Sequence, residues 1–147
     1  MSEYEGAFDR MLKLAVVLNE DMNHGLTQLG LTQSRAHVLW ELHHKGPTTQ
    51  RVLADVIRVS ARNITGLVDA LVATGFVTRQ PHPTDRRAVL VTLTEHGTKT
   101  ADAMDREHQE LARVLFSGMP AVQFDCFVEG LDKVLVELQD RVVASIP

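Results

Sequence analysis

The chain has 147 residues and a formal net charge of −4, with 44% apolar and 23% charged residues. That length suits one domain, and the composition is that of a globular protein rather than a disordered or collagen-like chain. The longest apolar run, Leu14 to Leu18, is far below the ~20 residues of a membrane span, the opening Ser2-Glu3-Tyr4-Glu5 is acidic where a signal peptide is basic, and a lone Cys126 leaves no intrachain disulfide framework. A cytoplasmic protein in a reducing compartment is the expectation.

The pattern starts helical. Phe8, Met11, Leu12, Ala15, Leu18 and Met22 recur at spacings of three and four, predicting a helix from about Tyr4 to Leu26. Gly30 interrupts it, and Thr32 can cap a second helix whose Ala36, Leu39, Trp40 and His43 share a face before Gly46-Pro47 ends it. Thr49 can cap a short third helix with Val52, Leu53 and Val56. A tight break at Arg58-Val59 follows. Ser60 can cap a fourth helix carrying Ile64, Leu67, Val68 and Leu71, closed by Gly75. Two short helices joined by a tight turn make a helix-turn-helix.

The period then changes from 3.6 to 2. Residues 76–80 and 88–93 read as strands, with Val89, Val91 and Leu93 on one side, and Pro81-His82-Pro83-Thr84-Asp85 is turn chemistry between them. A hairpin directly after a reading helix is the order of a winged helix. Thr94 can cap a fifth helix with Ala101, Met104, His108, Leu111 and Leu115 in line, and Gly118-Met119-Pro120 breaks it. The last helix spaces Phe124, Phe127, Leu131, Val134, Leu138 and Val142 almost as a seven-residue seam. The fold class expected is mainly α with a small β-wing. Residues 4–30 and 95–146 are the outer helices of a single domain, 1–147, and residues 32–94 are a winged helix-turn-helix.

A winged-helix core of roughly 60 residues does not need the outer helices. Their apolar faces must be buried somewhere, and a second copy of the chain is the simplest cover. Two-fold symmetry would then set two reading helices about 34 Å apart, against a palindromic site.

Charge distribution points the same way. Between Gly46 and Leu90 six arginines face three aspartates, a net of +3, which leaves −7 for the rest of the chain. A positive face on an acidic body suits a specific DNA binder, and arginine suits bidentate contact with phosphate or guanine. On the fourth helix Ile64 should point inward and Ala61, Arg62, Asn63, Thr65 and Gly66 outward. Arg can grip guanine and Asn adenine; Thr65 can meet a thymine methyl or a phosphate, and Ala61 and Gly66 permit close approach to the groove. Ser60 and Thr49 stand at helix N-termini, where backbone N–H groups favour phosphate. In the hairpin, Asp85-Arg86-Arg87 follows a loop stiffened by Pro81 and Pro83; one arginine can enter a narrow minor groove, and Asp85 can orient it. Arg79, at the base of the wing, joins the candidate DNA contacts.

The residues Leu31-Thr32, Leu53-Ala54, Val59-Ser60, Leu67-Val68-Asp69, Gly75-Phe76-Val77-Thr78-Arg79, Pro83-Thr84-Asp85-Arg86-Arg87 and Leu93-Thr94-Glu95-His96-Gly97 resemble the multiple-antibiotic-resistance regulator (MarR) family. The Asp-Arg-Arg wing followed by Leu-Thr-x-x-Gly is the specific part. The resemblance implies a homodimeric transcription regulator, most often a repressor, that releases DNA on binding a small aromatic or anionic effector. It implies Arg87 as the wing arginine with Asp85 its partner, Arg62, Asn63 and Thr65 as base-reading residues, and an effector pocket for which Met22, Leu26, His37, Trp40, Met104 and His108 are candidates. The sequence departs from the family pattern at Arg58, where many members have glycine in the turn.

Other classes are weaker. There is no phosphate loop, nucleophile elbow, His-Glu-x-x-His or paired-cysteine motif, so no enzyme and no cofactor is expected. His37 and His44 share a helical face, but no cysteine or carboxylate joins them at zinc-site spacing, so no metal site is expected. Cys126, beside Phe124 and Phe127, reads as a buried structural thiol rather than a sensor. A redox- or metal-responsive regulator of the same fold, and a winged helix used only for protein contacts, are the remaining alternatives.

Overall fold

A computed structural model describes residues 2–147. In chain order it comprises α1 (Glu3–Gln28), α2 (Gln33–Lys45), β1 (Thr48–Thr49), α3 (Gln50–Ile57), α4 (Ala61–Ala73), β2 (Val77–Pro81), β3 (Val89–Leu93), α5 (Glu95–Phe116) and α6 (Ala121–Ala144). The chain divides into two compact units, one ending at Asp105 and one spanning Arg106–Pro147. Among the described residues no single helix is long and apolar enough to cross a membrane.

Hydroxyl caps set most helix starts. Thr32, Thr49, Ser60 and Thr94 accept hydrogen bonds from the backbone N–H of Arg35, Val52, Asn63 and Gly97, each satisfying a donor that the first turn leaves free. At α1 the Ser2 hydroxyl and Glu5 carboxylate form a reciprocal capping box, and the bonds from Ser2 hold the Glu5 carboxyl below its ordinary range.

The core of the first unit is built where the helical and strand periods meet. Val38, Leu39 and Leu42 from α2, Leu53 from α3, Ile64, Val68 and Leu71 from α4, and Val77 and Val91 from the sheet are each 2% exposed or less. Each such side chain contributes about 1.5–3 kcal/mol of transfer free energy. The sheet order is β1-β3-β2, all antiparallel, with Val77 opposite Leu93 and Arg79 opposite Val91. The sequence reading omitted β1. Two residues carry no alternation to detect, yet they pair Thr48 with Val91 and Thr49 with Leu90 and so tie the α2–α3 connection to the wing.

Two backbone positions fix the ends of the head. Arg58 caps α3 in the left-handed region (φ 61°, ψ 49°), and the N–H groups of Arg58 and Val59 both reach Ala54 O. The turn into α4 therefore requires the conformation that glycine adopts without strain, and arginine there costs roughly 1 kcal/mol. At the other end, a Cβ on Gly97 would lie 1.9 Å from Phe76 O, so only glycine lets α5 start this close to the entry of β2. Thr94 holds that approach by donating its hydroxyl to Gly75 O at 2.6 Å.

In the second unit, α6 follows the turn at residues 117–120, and Phe116 packs its ring against Phe124 and Phe127 at 5.5 and 6.0 Å. No residue of α6 is buried, and none of α1 is buried in the first unit. This corrects one expectation: Cys126 is exposed, because α6 keeps its apolar face uncovered within a single chain.

Candidate nucleic-acid interface

The first turns of α4 present a polar face. Ile64 is 2% exposed and anchors the helix, while Ala61, Arg62, Asn63, Thr65 and Gly66 are exposed, as the helical period predicts. The Ser60 and Thr49 hydroxyls are engaged as caps, so at each site the remaining free N–H groups of the first turn are what a phosphate could meet. The Thr65 hydroxyl donates to Ala61 O at 2.9 Å.

Arg79 is placed differently from a free DNA contact. Its Nη2 donates to Asp69 Oδ1 at 2.6 Å and its Nε to Gln50 Oε1 at 2.7 Å, joining β2 to α4 and α3. Gln50 Nε2 in turn reaches the Thr65 hydroxyl at 3.4 Å. With the Thr65 carbonyl at 3.4 Å as a third acceptor, the guanidinium is a strut between the wing and the reading helix.

The wing turn is closed by His82 N–H to Ala88 O at 3.3 Å and Ala88 N–H to Asp85 O at 3.2 Å. Asp85 acts on Arg87 through the backbone: its Oδ1 accepts from Arg87 N–H at 2.9 Å, an Asx-type turn rather than a carboxylate–guanidinium pair. Arg86 and Arg87 are exposed, and among the described residues neither guanidinium is held in an ion pair.

One part of this surface was missed from sequence. Ser34 and Arg35, in the first turn of α2, line an open groove with Val59, Arg62, Asn63, Gly66 and Leu67. The signal was present: a cation in the first turn opposes the helix dipole, and no acidic residue balances it. Arg35 and Arg62 together make the groove a place for an anion.

The six residues proposed for an effector pocket do not line that groove. Leu26 and Met104 pack against the core, Met22 is half exposed, and Trp40 lies with its ring 4.3 Å from that of His44. His37 pairs with Glu41 at 3.7 Å, and His108 is exposed in the second unit. Two further pairs, His43 with Asp102 at 3.6 Å and His44 with Asp105 at 3.8 Å, link α2 to α5.

Residues 31–89, the stretch holding this surface, match the MarR family model. The chain is 28% identical over 133 residues to the HTH-type transcriptional regulator MhqR of Bacillus subtilis, covering 86% of this chain and 92% of the relative. It is 31% identical over 99 residues to the multiple antibiotic resistance protein MarR of Salmonella typhimurium, covering 64% of this chain and 69% of that protein. Its fold matches FabT of Streptococcus pneumoniae, solved in complex with DNA, with a TM-score of 0.87 at 17% identity over 94% of this chain and 99% of FabT. The chain belongs to the MarR family: it is a winged-helix, DNA-binding regulator of transcription and not an enzyme.

Proposed function

We propose that the chain works in the cytoplasm as a homodimeric repressor. It sets α4 into the major groove of each half of a palindromic operator and the wing into the adjacent minor groove. It leaves the DNA when a small aromatic or anionic molecule binds. The observation that carries the DNA reading is the juxtaposition of two exposed, unpaired wing arginines with an exposed Arg62-Asn63 face on α4. Arg62 and Asn63 supply bidentate donors and acceptors for base edges. Arg87, held by the Asp85 turn, supplies the minor-groove cation. Ser34 and Arg35 add phosphate contacts to those of Ser60 and Thr49, with Arg86 beside the wing contact.

The dimer reading is supported by the outer helices. On α1, Phe8, Leu12 and Val16 are 51–57% exposed; on α6, Phe127, Leu131, Val134 and Leu138 are 36–52% exposed. Apolar faces of this extent on a monomer mark an interaction surface. Residues 4–30 and 95–146 thus serve dimerisation and 32–94 serve reading. Effector release is supported by the α2–α5 pairs. A ligand that displaced His43 or His44 from its carboxylate would disturb α2, whose buried face supports α4.

Selection of genomic fragments by the purified chain, followed by footprinting, tests the reading. Palindromic footprints with protection one helical turn apart are expected. Enrichment of no fragment would overturn it in favour of a protein-interaction module. Release of the selected fragment by aromatic acids, scored in the same assay, tests the effector.

A further inference from the structure

His82 sits at the start of the wing turn and is half-buried, and its ring is tied to the turn's backbone. Nδ1 lies 3.2 Å from Thr84 N and 3.0 Å from Asp85 N. A backbone N–H can only donate, so Nδ1 is the acceptor of both. The Thr84 hydroxyl, 3.3 Å away, is also placed to donate. In position, His82 Nδ1 stands where the side-chain oxygen of asparagine or aspartate stands in an Asx-turn, three bonds from its own Cα. The turn it forms ends at Asp85, the residue whose carboxylate accepts from Arg87 N–H at 2.9 Å. Two acceptors in series therefore shape the wing tip: the first is His82 and the second is Asp85.

We propose that His82 is a positioning residue of the wing and makes DNA binding sensitive to acid. The neutral imidazole holds the turn that aims Arg87, and a proton taken from solvent onto Nδ1 releases it. A protonated Nδ1 is a donor, so it faces two N–H groups that have lost their acceptor, and the turn opens. The charged residues of the same turn are Asp85, Arg86 and Arg87; the paired strand residues Gln80, Pro81, Val89 and Leu90 carry no charge. Arg86 and Arg87 disfavour a third cation at the tip and Asp85 favours it. The new charge itself would attract phosphate, so the sign of the effect separates the two roles. Loss of positioning weakens binding in acid, whereas an added cation alone strengthens it.

The proposal rests on the wing's contact with DNA, and the test separates the two. Dissociation constants for a selected operator fragment are measured from pH 8 to pH 5.5 at fixed ionic strength. The proteins are the unmodified chain, His82→Asn, His82→Ala and Arg87→Ala. Asn keeps an acceptor at the same reach and does not titrate. Expected at pH 8 is unaltered affinity for His82→Asn and about tenfold weaker binding for His82→Ala, the scale of two exposed hydrogen bonds. On acidification the unmodified chain should weaken about tenfold more than His82→Asn. In the DNA-free protein, ring-nitrogen NMR should show the Nε2–H tautomer, and the Thr84 and Asp85 amide signals should move with protonation of the ring. Coincident pH profiles for the chain and His82→Asn, or tighter binding of the chain in acid relative to His82→Asn, would overturn the proposal. Unaltered binding by Arg87→Ala at pH 8 would sink the wing contact itself, while the NMR signals still report whether His82 holds the turn.

Discussion

The reading head and the outer helices use apolar residues in opposite ways. From Leu31 to Leu93 a set of large side chains closes on itself, and Val38, Leu39, Val68, Leu71 and Val91 are completely buried. On α1 and α6 no residue is buried, although both helices carry long apolar faces. The head is therefore stabilised by its own chain, and its polar residues are free to face DNA. The outer helices satisfy their backbone internally but leave much of their apolar side-chain surface exposed in the single chain.

Five substitutions test that contrast, from the largest effect to the smallest. Leu131→Asp on α6 should leave helix content intact, convert dimer to monomer in sedimentation, and cut operator affinity by about 100-fold or more through loss of bivalency. An unchanged sedimentation coefficient would remove α6 from the interface. Leu39→Ala should act on the head alone, costing ~3 kcal/mol in denaturant unfolding through its cavity. Should that loss instead vanish at high protein concentration, the head would not be self-sufficient. Within the DNA surface, Arg87→Ala should weaken binding to every site and lower the salt slope by about one unit. Arg62→Ala should cost ~1–3 kcal/mol at one base position only. A uniform loss for Arg62→Ala would make it a phosphate contact. Smallest is Arg58→Gly, which should raise the stability of the head by about 1 kcal/mol by relieving the left-handed turn; a loss of stability would mean that the arginine side chain makes a compensating contact.

The same contrast explains what could be read from sequence. Helices α1 to α6 and both wing strands follow from period, caps and turn residues, because each is determined within a dozen residues. Ser60, Thr32 and Thr94 cap where their hydroxyls allow. The strand β1 escaped because its two residues gain their identity from Val91 and Leu90, about forty positions away. The charge of Arg79 is visible in sequence, whereas Asp69 and Gln50, its acceptors, are brought to it only by the fold. Asp85 was rightly tied to Arg87, but the bond goes to the backbone, a distinction that residue types do not encode. Cys126 was misjudged for the reason that sets α6 apart. An apolar stripe indicates that a surface is to be covered, and it does not say that the same chain covers it.

Pairing through the uncovered outer helices would bring two reading heads to one palindrome. Its most direct test is the mass of the complex formed by the purified chain on a selected palindromic duplex, by sedimentation equilibrium or native mass spectrometry. Two chains of 16.3 kDa per duplex are expected, with no one-chain species at submicromolar concentration. A stable complex holding a single chain, on a site as tight as the full palindrome, would contradict it.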